Sequence, residues 1–364
     1  MVFVGSVGLG IPPYHLSQEK VKNLMKDIFI EKKIKKLLPV FDNAKIKQRQ
    51  FVVDNEWIKQ NNSFAMTNER YVTYAKSLSL EAIDSCLKNS ELIKHPIPYE
   101  AIDMIVFVSS TGIVTPSLDA YLLNDRSFRE DVVRMPLWGL GCAGGAMGLS
   151  RAYEWLQLHP NKTALVICSE LCSLTFQKGD NSSRNIVGTA LFGDGVAATL
   201  LIGQESPYLK HLPTNKLQIK GTSTFTKKNS TNVMGWNVTN DGFEVIFSKG
   251  IPKLVKSLWK EHVAEFLQKN NKTVGDLSAI IAHPGGRKVL EEMERALSID
   301  RQLLKYSYNV LENHGNMSSA TVLYVLNKWL KDSIDKSFFN KEGILSALGP
   351  GFSSELLLME WMGK

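Results

Sequence analysis

Cysteine is scarce in this chain, with four residues among 364, at positions 86, 142, 168 and 172. So few thiols in so long a chain exclude the disulfide framework of small secreted proteins. Cys168 and Cys172 are four residues apart, but no neighbouring histidine or cysteine cluster completes a zinc set. We therefore expect reduced thiols and no metal site.

Long hydrophobic runs are also missing. No stretch approaches the roughly 18 uninterrupted apolar residues that a membrane span needs. The segment Met1 to Gly5 is apolar but has no basic residue before it, so it predicts a first strand and not a signal peptide. These features predict a cytoplasmic protein without a membrane span.

The chain carries a net charge of +7, but its basic residues are not interleaved with an aromatic surface that could read bases, so we expect no nucleic-acid partner. The densest basic run is Lys32-Lys33-Ile34-Lys35-Lys36, in a segment, residues 21–38, whose apolar residues have helical spacing. Two interpretations stay open: a solvated helix face, and a site for an anionic ligand such as the phosphates of coenzyme A.

Two halves of the chain, 1–205 and 206–364, repeat one pattern on either side of the polar, proline-containing stretch 204–216. A strand over 101–108 runs into Ser109, and a strand over 277–282 runs into His283 before a helix over 287–297. Cys142 lies between a predicted strand (132–137) and a helix (146–158), as Asn316 does between 305–310 and 320–330. Each half is predicted to end in a strand, a glycine turn and a strand, at 190–201 and 344–358.

Buried strands that alternate with helices predict an α/β protein whose sheets are covered on both faces. Two such copies would pack as duplicated αβαβα layers, with two mixed sheets around shared central helices. Ser109 and His283, like Cys142 and Asn316, are 174 residues apart. Equivalent turns of a duplicated fold converge, so we expect Cys142, His283 and Asn316 around one point.

Cys142 is the candidate nucleophile. Glycines 139, 141, 144 and 145 surround it and allow a sharp turn before the helix. A thiol near a helix N-terminus has a lowered pKa and a larger thiolate fraction. Two alternatives exist: an inert buried cysteine, and a dinucleotide-binding G-x-G-x-x-G turn with Glu170 at the end of the next strand (163–169).

His283 and Asn316 give the thiol a chemical context. The imidazole could hold Cys142 as a thiolate, and together with the Asn316 amide it could donate hydrogen bonds to a developing oxyanion. Taken singly, each residue has an ordinary interpretation: His283 as a loop residue, Asn316 as a helix cap, and the nearby His314 as structural. Taken together, the three suit acyl loading followed by decarboxylative carbon–carbon bond formation.

Five motifs in order resemble the chalcone and stilbene synthase family, the type III polyketide synthases: 138–145 around Cys142, 191–195, 281–286 around His283, 315–320 around Asn316, and 348–352. The resemblance implies a thiolase fold, a homodimer, and iterative condensation of malonyl-CoA onto an acyl-CoA starter without a bound cofactor. It implies that Cys142 is the nucleophile, that His283 and Asn316 form the decarboxylation and oxyanion pair, and that Phe192 is an aromatic gate.

Several positions depart from the plant pattern. Val245 falls near the second gate aromatic, and Leu348-Gly349-Pro350 carries leucine where the family's loop has phenylalanine. Of the basic residues that meet coenzyme A in plant members, only Lys36 aligns; Pro39 and Asn43 replace the others. Residues 234–238 resemble the bacterial branch, which often takes long fatty acyl starters.

Val245, Leu348 and the small side chains of Cys172 and Ser173 together predict a pocket for a long aliphatic starter. The expected products are alkylpyrones, with alkylresorcinols as a second class. Two rivals share the fold: a ketoacyl synthase that makes a single condensation, and a non-catalytic scaffold. The dinucleotide-binding oxidoreductase is the third alternative.

Overall fold

The computed structural model describes residues 1–333 and 341–363, including all their side chains except those of 31–33. Its strands are β1 (Val2–Gly10), β2 (Tyr14–Ser17), β3 (Gln48–Phe51), β4 (Met104–Ser109), β5 (Val133–Trp138), β6 (Thr163–Leu171), β7 (Asp194–Gly203), β8 (Lys216–Thr226), β9 (Met234–Thr239), β10 (Gly242–Phe247), β11 (Leu277–Ala282), β12 (Glu342–Gly349) and β13 (Ser353–Met362). Its α-helices are α1 (Gln18–Ile28), α2 (Glu31–Leu37), α3 (Pro39–Asn43), α4 (Asn55–Lys59), α5 (Phe64–Leu87), α6 (Leu118–Asp125), α7 (Gly144–Leu158), α8 (Ser183–Leu191), α9 (Ile251–Leu254), α10 (Lys260–Lys269), α11 (Arg287–Leu297), α12 (Lys305–His314) and α13 (Ala320–Ser333).

Nine strands form one sheet in the order β11-β12-β13-β8-β1-β7-β6-β4-β5, with parallel and antiparallel neighbours. The layered α/β fold predicted from the sequence is therefore confirmed. The structure differs from the prediction in one respect. The sequence predicted two separate sheets, but these join into one through a three-residue pairing of β1 with β8. The division into 1–205 and 206–364 stays a prediction.

Helices α7 and α13 pack together inside the molecule and share one hydrophobic cluster with the sheet. Glycine allows their close approach, since a Cβ on Gly145 would lie 2.3 Å from the carbonyl oxygen of Ser319. The N-terminus of α7 therefore meets the N-terminus of α13. This contact brings the turn that carries Cys142 next to the turn that carries Asn316.

The predicted strand over 305–310 is wrong, because these residues open helix α12. Tyr306, Tyr308 and Val310 alternate as in a strand, but the buried residues are Tyr306, Ser307, Val310 and Leu311. That spacing is helical. The internal repeat is thus imperfect where the chain approaches Asn316.

Two further predictions need correction. The first-half ending over 190–201 is not strand, turn and strand, because Ala190 and Leu191 end helix α8, whose N-cap is Ser182. The single helix expected over 21–38 is split into α1 and α2, because α1 ends at Ile28 and α2 begins at Glu31. By contrast, β11 and α11 begin and end as predicted, and β12 and β13 form the predicted second ending.

Within residues 1–333 and 341–363, no helix combines the length and the apolar character that crossing a membrane would require.

Candidate active site

The turn that carries Cys142 depends on glycine. After β5 the chain reverses through Gly139 and Gly141, whose φ angles are +86° and +47°. A Cβ on Gly141 would also lie 2.7 Å from Pro350. Residues 141–143 form a 3-10 turn, and α7 begins at the next residue. Cys142 lies at a helix N-terminus, as predicted, and the structure leaves it partly exposed.

The loop Leu348-Gly349-Pro350 packs against this turn. A Cβ on Gly349 would lie 2.5 Å from the Cβ of Ala143, so the loop and the turn are in direct contact. Leu348 is buried in a hydrophobic cluster and does not line the cavity next to Phe192. A role of Leu348 in the substrate pocket therefore stays a prediction, whereas the contact of this loop with the turn that carries Cys142 is direct.

His283 follows β11 and is only 3% exposed. Its backbone N–H donates to the carbonyl oxygen of Ser346 at 2.7 Å, which anchors the residue beside β12. Neither ring nitrogen has a hydrogen-bond partner among the described residues. Burial lowers the pKa of His283 to about 3, so the imidazole is neutral.

The side-chain amide of Asn316 is oriented by its own turn. The backbone N–H of Ser318 donates to Asn316 Oδ1 at 2.8 Å, which identifies that atom as the oxygen. Cys142 Sγ lies 3.9 Å from both the nitrogen and the oxygen of this amide, and the NH₂ group also lies 3.4 Å from the carbonyl oxygen of Gly285. The amide therefore faces the thiol and directs a donor toward the loop that follows His283.

The structure thus brings the three predicted residues together. Gly285 lies between Asn316 and His283, since a Cβ on it would be 3.7 Å from His283 Nε2. His314 is directed elsewhere: its Nδ1 lies 2.8 Å from Gln50 Oε1, and its ring packs on Tyr324.

Burial of both groups opposes the predicted thiolate–imidazolium pair in the free protein. Burial raises the pKa of Cys142 to about 12, and the charge of Glu170 adds to this effect. Hydrogen bonds with Ser318 and Asn316 oppose the rise without reversing it. Because burial also lowers the pKa of His283, the site favours the neutral forms of both groups, thiol and imidazole.

Glu170 is a buried carboxyl that the sequence analysis considered only as part of the dinucleotide-binding alternative. It accepts hydrogen bonds from the Ser110 N–H (3.0 Å), the Thr111 hydroxyl (2.9 Å) and the Ser319 hydroxyl (2.6 Å). Burial raises its pKa to about 7. These partners occupy its oxygens, which contradicts the dinucleotide interpretation. Instead, Glu170 ties the end of β4 to the start of α13.

A cavity of about 40 Å³ adjoins Phe192 and is named here the inner cavity. Its wall includes the predicted residues Phe192, Val245 and Cys172, together with Ser173. The other lining residues are Met25, Phe51, Ile58, Thr175, Phe176, Asn185, Gly188, Thr189, Trp236 and Phe243.

The surroundings of Phe192 are more aromatic than the position of Val245 suggested. The Phe192 ring stacks on Phe247, with 5.7 Å between centroids, and lies 5.8 Å from Trp236. Val245 also lines the inner cavity, so this part of the wall is both aliphatic and aromatic, and its effect on the starter stays a prediction. Phe247 lies two residues beyond Val245 in β10 and so shares its face of the strand, which the sequence analysis did not consider.

A second cavity of about 320 Å³, the outer cavity, is bordered by Gly285 and Gly286 of the loop after His283. Four basic residues line it: Arg184, Lys249, Arg287 and Lys288. Sequence reasoning missed them because Arg184, Lys249 and the pair Arg287-Lys288 lie in three separate segments and form no long basic run.

Helix α8 separates the two cavities, with Gly188 and Thr189 on the inner one and Arg184 and Val187 on the outer one. Asn43 lines the outer cavity, whereas Lys36 on α2 does not. The side chains of Lys32 and Lys33 lie outside the described residues.

A thiol at a helix N-terminus, an unpartnered imidazole and an oriented amide define a thiol-dependent acyl-transfer site on a duplicated α/β fold. Among the described residues, no three histidine, cysteine, aspartate or glutamate side chains form a group that could hold a metal ion.

Family models for the N-terminal and C-terminal domains of chalcone and stilbene synthases match residues 2–206 and 219–362. The chain therefore belongs to this family, the type III polyketide synthases. It is an acyltransferase that condenses coenzyme A thioesters by decarboxylation, and the family's chemistry requires no resident cofactor.

Individual relatives agree with this assignment. A putative chalcone synthase of Bacillus subtilis (strain 168) is 43% identical over 99% of both chains. A 1,3,6,8-tetrahydroxynaphthalene synthase of Streptomyces peucetius is 33% identical over 98% of this chain and 93% of its own. The alpha-pyrone synthesis polyketide synthase-like Pks18 of Mycobacterium tuberculosis is 29% identical over 72% of this chain and 67% of its own.

The fold matches that of a solved bacterial type III polyketide synthase. The crystal structure of the tetrahydroxynaphthalene synthase of Streptomyces coelicolor A3(2) superposes over 100% of both chains, with a TM-score of 0.91 at 24% identity. This likeness confirms the predicted thiolase fold.

Proposed function

We propose that Cys142 takes the acyl group from a starter coenzyme A thioester, and that His283 and Asn316 stabilise the enolate formed from malonyl-CoA. The unpartnered imidazole of His283 carries this proposal. Buried polar groups nearly always have a hydrogen-bond partner, so two free ring nitrogens in a buried site indicate that the partner is a ligand.

The chemistry follows from these positions. The Cys142 sulfur attacks the thioester carbonyl, and the thiol proton leaves with the departing coenzyme A sulfur. Malonyl-CoA then loses carbon dioxide, and the electron pair of the broken bond forms an enolate whose oxygen accepts hydrogen bonds from His283 and Asn316. The enolate carbon attacks the acyl-Cys142 carbonyl, which releases the sulfur and leaves a chain longer by two carbons on coenzyme A.

The outer cavity is the proposed site of the coenzyme. Arg184, Lys249 and Lys288 line it and form no ion pair with any described residue, so their charges are available to phosphates. Arg287, by contrast, already forms an ion pair with Glu291, with 2.6 Å between Nε and Oε1. Lys36 stays a candidate phosphate ligand from α2, outside this cavity.

Three alanine variants test the assignment of roles. Cys142→Ala should abolish acyl loading, measured by intact-protein mass, while malonyl-CoA decarboxylation continues. His283→Ala and Asn316→Ala should each lower decarboxylation by on the order of 10²–10³, the usual loss for one oxyanion donor. Cys86→Ala, a buried thiol remote from the site, is the matched control and should load normally. Chain extension by Cys142→Ala at the wild-type rate would refute the assignment of Cys142 as the nucleophile.

For the starter we propose a long aliphatic acyl-CoA and alkylpyrone products, with alkylresorcinols as a second class. Met25, Ile58 and Val245 give the inner cavity an apolar wall. Each buried methylene is worth about 0.8 kcal/mol, so two or three of them change kcat/KM more than tenfold. The similarity to the mycobacterial alpha-pyrone synthesis enzyme supports the same product class.

One observation favours a second candidate, a short starter that gives a hydroxynaphthalene. The inner cavity measures about 40 Å³, whereas a dry cavity that binds benzene has about 150 Å³. Cys172, Ser173 and Thr175 also make part of its wall polar. A long chain would therefore require side chains such as Phe192 to move.

A starter panel separates the two candidates. We expect kcat/KM to rise from acetyl- through hexanoyl- to lauroyl- and palmitoyl-CoA, and to be low for coumaroyl-CoA. Val245→Phe, which fills the inner cavity, should lower lauroyl-CoA turnover more than tenfold and change acetyl-CoA turnover little. An aromatic pentaketide made from malonyl-CoA alone as the main product would establish the second candidate.

The enzyme is also proposed to be a cytoplasmic homodimer. Cys142 must stay a free thiol, which a reducing compartment favours. Strand β5 ends the sheet and exposes Val133 and Trp138, at 42% and 51%. An exposed apolar edge strand invites pairing with another strand, and a second copy of this chain offers one.

A further inference from the structure

Arg49, in the middle of β3, is completely buried. Its Nη1 donates to the carbonyl oxygens of Thr189 and Phe192, both at 2.7 Å. Its Nη2 donates to the carbonyl oxygen of Ala190 at 3.1 Å and to Gln18 Oε1. The guanidinium thus binds three backbone carbonyl groups around the C-terminal end of α8, where carbonyl groups lack helical partners.

The backbone that Arg49 holds is the wall between the two cavities. Leu191 lines the outer cavity and Phe192 the inner one. The same stretch bonds directly to Asn316: the Asn316 N–H donates to the Leu191 carbonyl and the Gly193 N–H donates to the Asn316 carbonyl, both at 2.9 Å. Displacement of residues 191–193 would therefore move the Phe192 ring and the Asn316 amide together.

Strand β3 also holds the other side of the Asn316 turn. The Lys47 N–H donates to the Glu312 carbonyl at 2.7 Å. The Gln50 side chain donates to the Asn313 carbonyl at 3.3 Å and lies 2.8 Å from His314 Nδ1. Strand β3 and Lys47, the residue before it, thus contact both of the segments that are hydrogen-bonded to each other at Asn316.

We infer that Arg49 is a positioning residue, which sets the place of the Phe192 wall and of the Asn316 amide relative to Cys142. The inference depends on the roles proposed above for Phe192 and Asn316. Lysine cannot replace it fully, because a single ammonium nitrogen cannot reproduce the planar fork that reaches Thr189, Ala190 and Phe192 at once.

The test compares wild type, Arg49→Lys, Arg49→Met and Asn316→Ala in three assays: malonyl-CoA decarboxylation, acyl loading of Cys142 by mass, and product chain lengths. We expect Arg49→Lys to lower the decarboxylation kcat about tenfold or more while the KM for malonyl-CoA changes less than about threefold. Loading should persist, and the products should shift in length. The matched control is Arg126→Met, which removes a bidentate pair with Asp84 and touches neither cavity; its kcat should stay at the wild-type value.

The outcomes distinguish this inference from the proposed function. If Asn316→Ala decarboxylates like wild type, the role of Asn316 fails. If Asn316→Ala is impaired but folded Arg49→Lys keeps the wild-type kcat and product lengths, the inference about Arg49 alone is overturned. If both Arg49 variants fail to fold, Gln18→Ala decides, since it removes one acceptor of the fork: an unchanged kcat would overturn the inference, and a partial loss would support it.

Discussion

Cys142 lies at the N-terminus of α7, yet burial outweighs the charge of the helix. A helix terminus contributes about 0.3–1 kcal/mol, or up to about 2 kcal/mol in a partly buried geometry. One pKa unit corresponds to about 1.36 kcal/mol, so the helix can lower the thiol pKa by little more than one unit. Desolvation shifts buried groups by up to about 3–5 units. Desolvation therefore favours the protonated thiol in the free protein, even though Cys142 keeps part of its surface exposed.

The pH dependence of alkylation follows from this raised pKa. Below its pKa a thiol gains thiolate tenfold per pH unit, so the iodoacetamide rate at Cys142 should climb steadily from pH 7 to pH 10. A thiolate paired with imidazolium would instead react at a constant rate over neutral pH. Peptide mass spectrometry assigns the label, with Cys142→Ala as the blank.

Neutral His283 leads to a companion expectation in the same assay. Its pKa of about 3 leaves no imidazolium to stabilise a thiolate at pH 7, so His283→Ala should label within about twofold of wild type. Strongly slowed labelling of His283→Ala would restore the ion pair predicted from the sequence.

At the scale of elements, the turn that carries Cys142 is held in place because it packs against the loop at 348–350. Gly139 and Gly141 both have positive φ, but only a Cβ on Gly141 would strike Pro350, at 2.7 Å, whereas a Cβ on Gly139 would meet nothing within 4 Å. The two positions therefore separate backbone strain from steric contact.

Alanine at each glycine should show that difference. Gly139→Ala should cost about 1–2 kcal/mol of unfolding free energy, from the left-handed backbone alone. Gly141→Ala should cost more and should also slow acyl loading, because Pro350 or the turn must move. Urea melts and intact-protein mass measure both effects. Equal losses in the two variants would mean that the loop at 348–350 does not support the turn.

At the scale of the whole molecule, the sheet joins both halves and ends in the exposed strand β5. Wild type should sediment at twice the chain mass of 40.7 kDa if a second copy covers that edge. Val133→Lys places a charge on the edge and should shift the mass toward one chain. Leu158→Lys, at an apolar side chain 80% exposed on α7, is the matched control and should sediment like wild type. A wild-type protein that sediments as one chain would reject the homodimer.

The sequence by itself identified Cys142, His283 and Asn316 as the candidate site residues and predicted that they converge. Cys142, His283 and Asn316 each lie in a short local motif, and the spacing of the two halves predicted that their turns meet. Elements with a clear pattern, such as β11 and α11, were also predictable. Helix α12 was not, because its aromatic residues alternate by chance and only packing decides which face is buried.

The tertiary structure decided how these groups are held. The orientation of the Asn316 amide depends on Ser318, its backbone on residues 191–193, and their position on Arg49 more than 140 residues earlier. The protonation of Cys142 and His283 depends on desolvation, which is a property of the assembled fold. Local patterns cannot report such effects, because each arises from segments that are distant in the chain and adjacent only after folding.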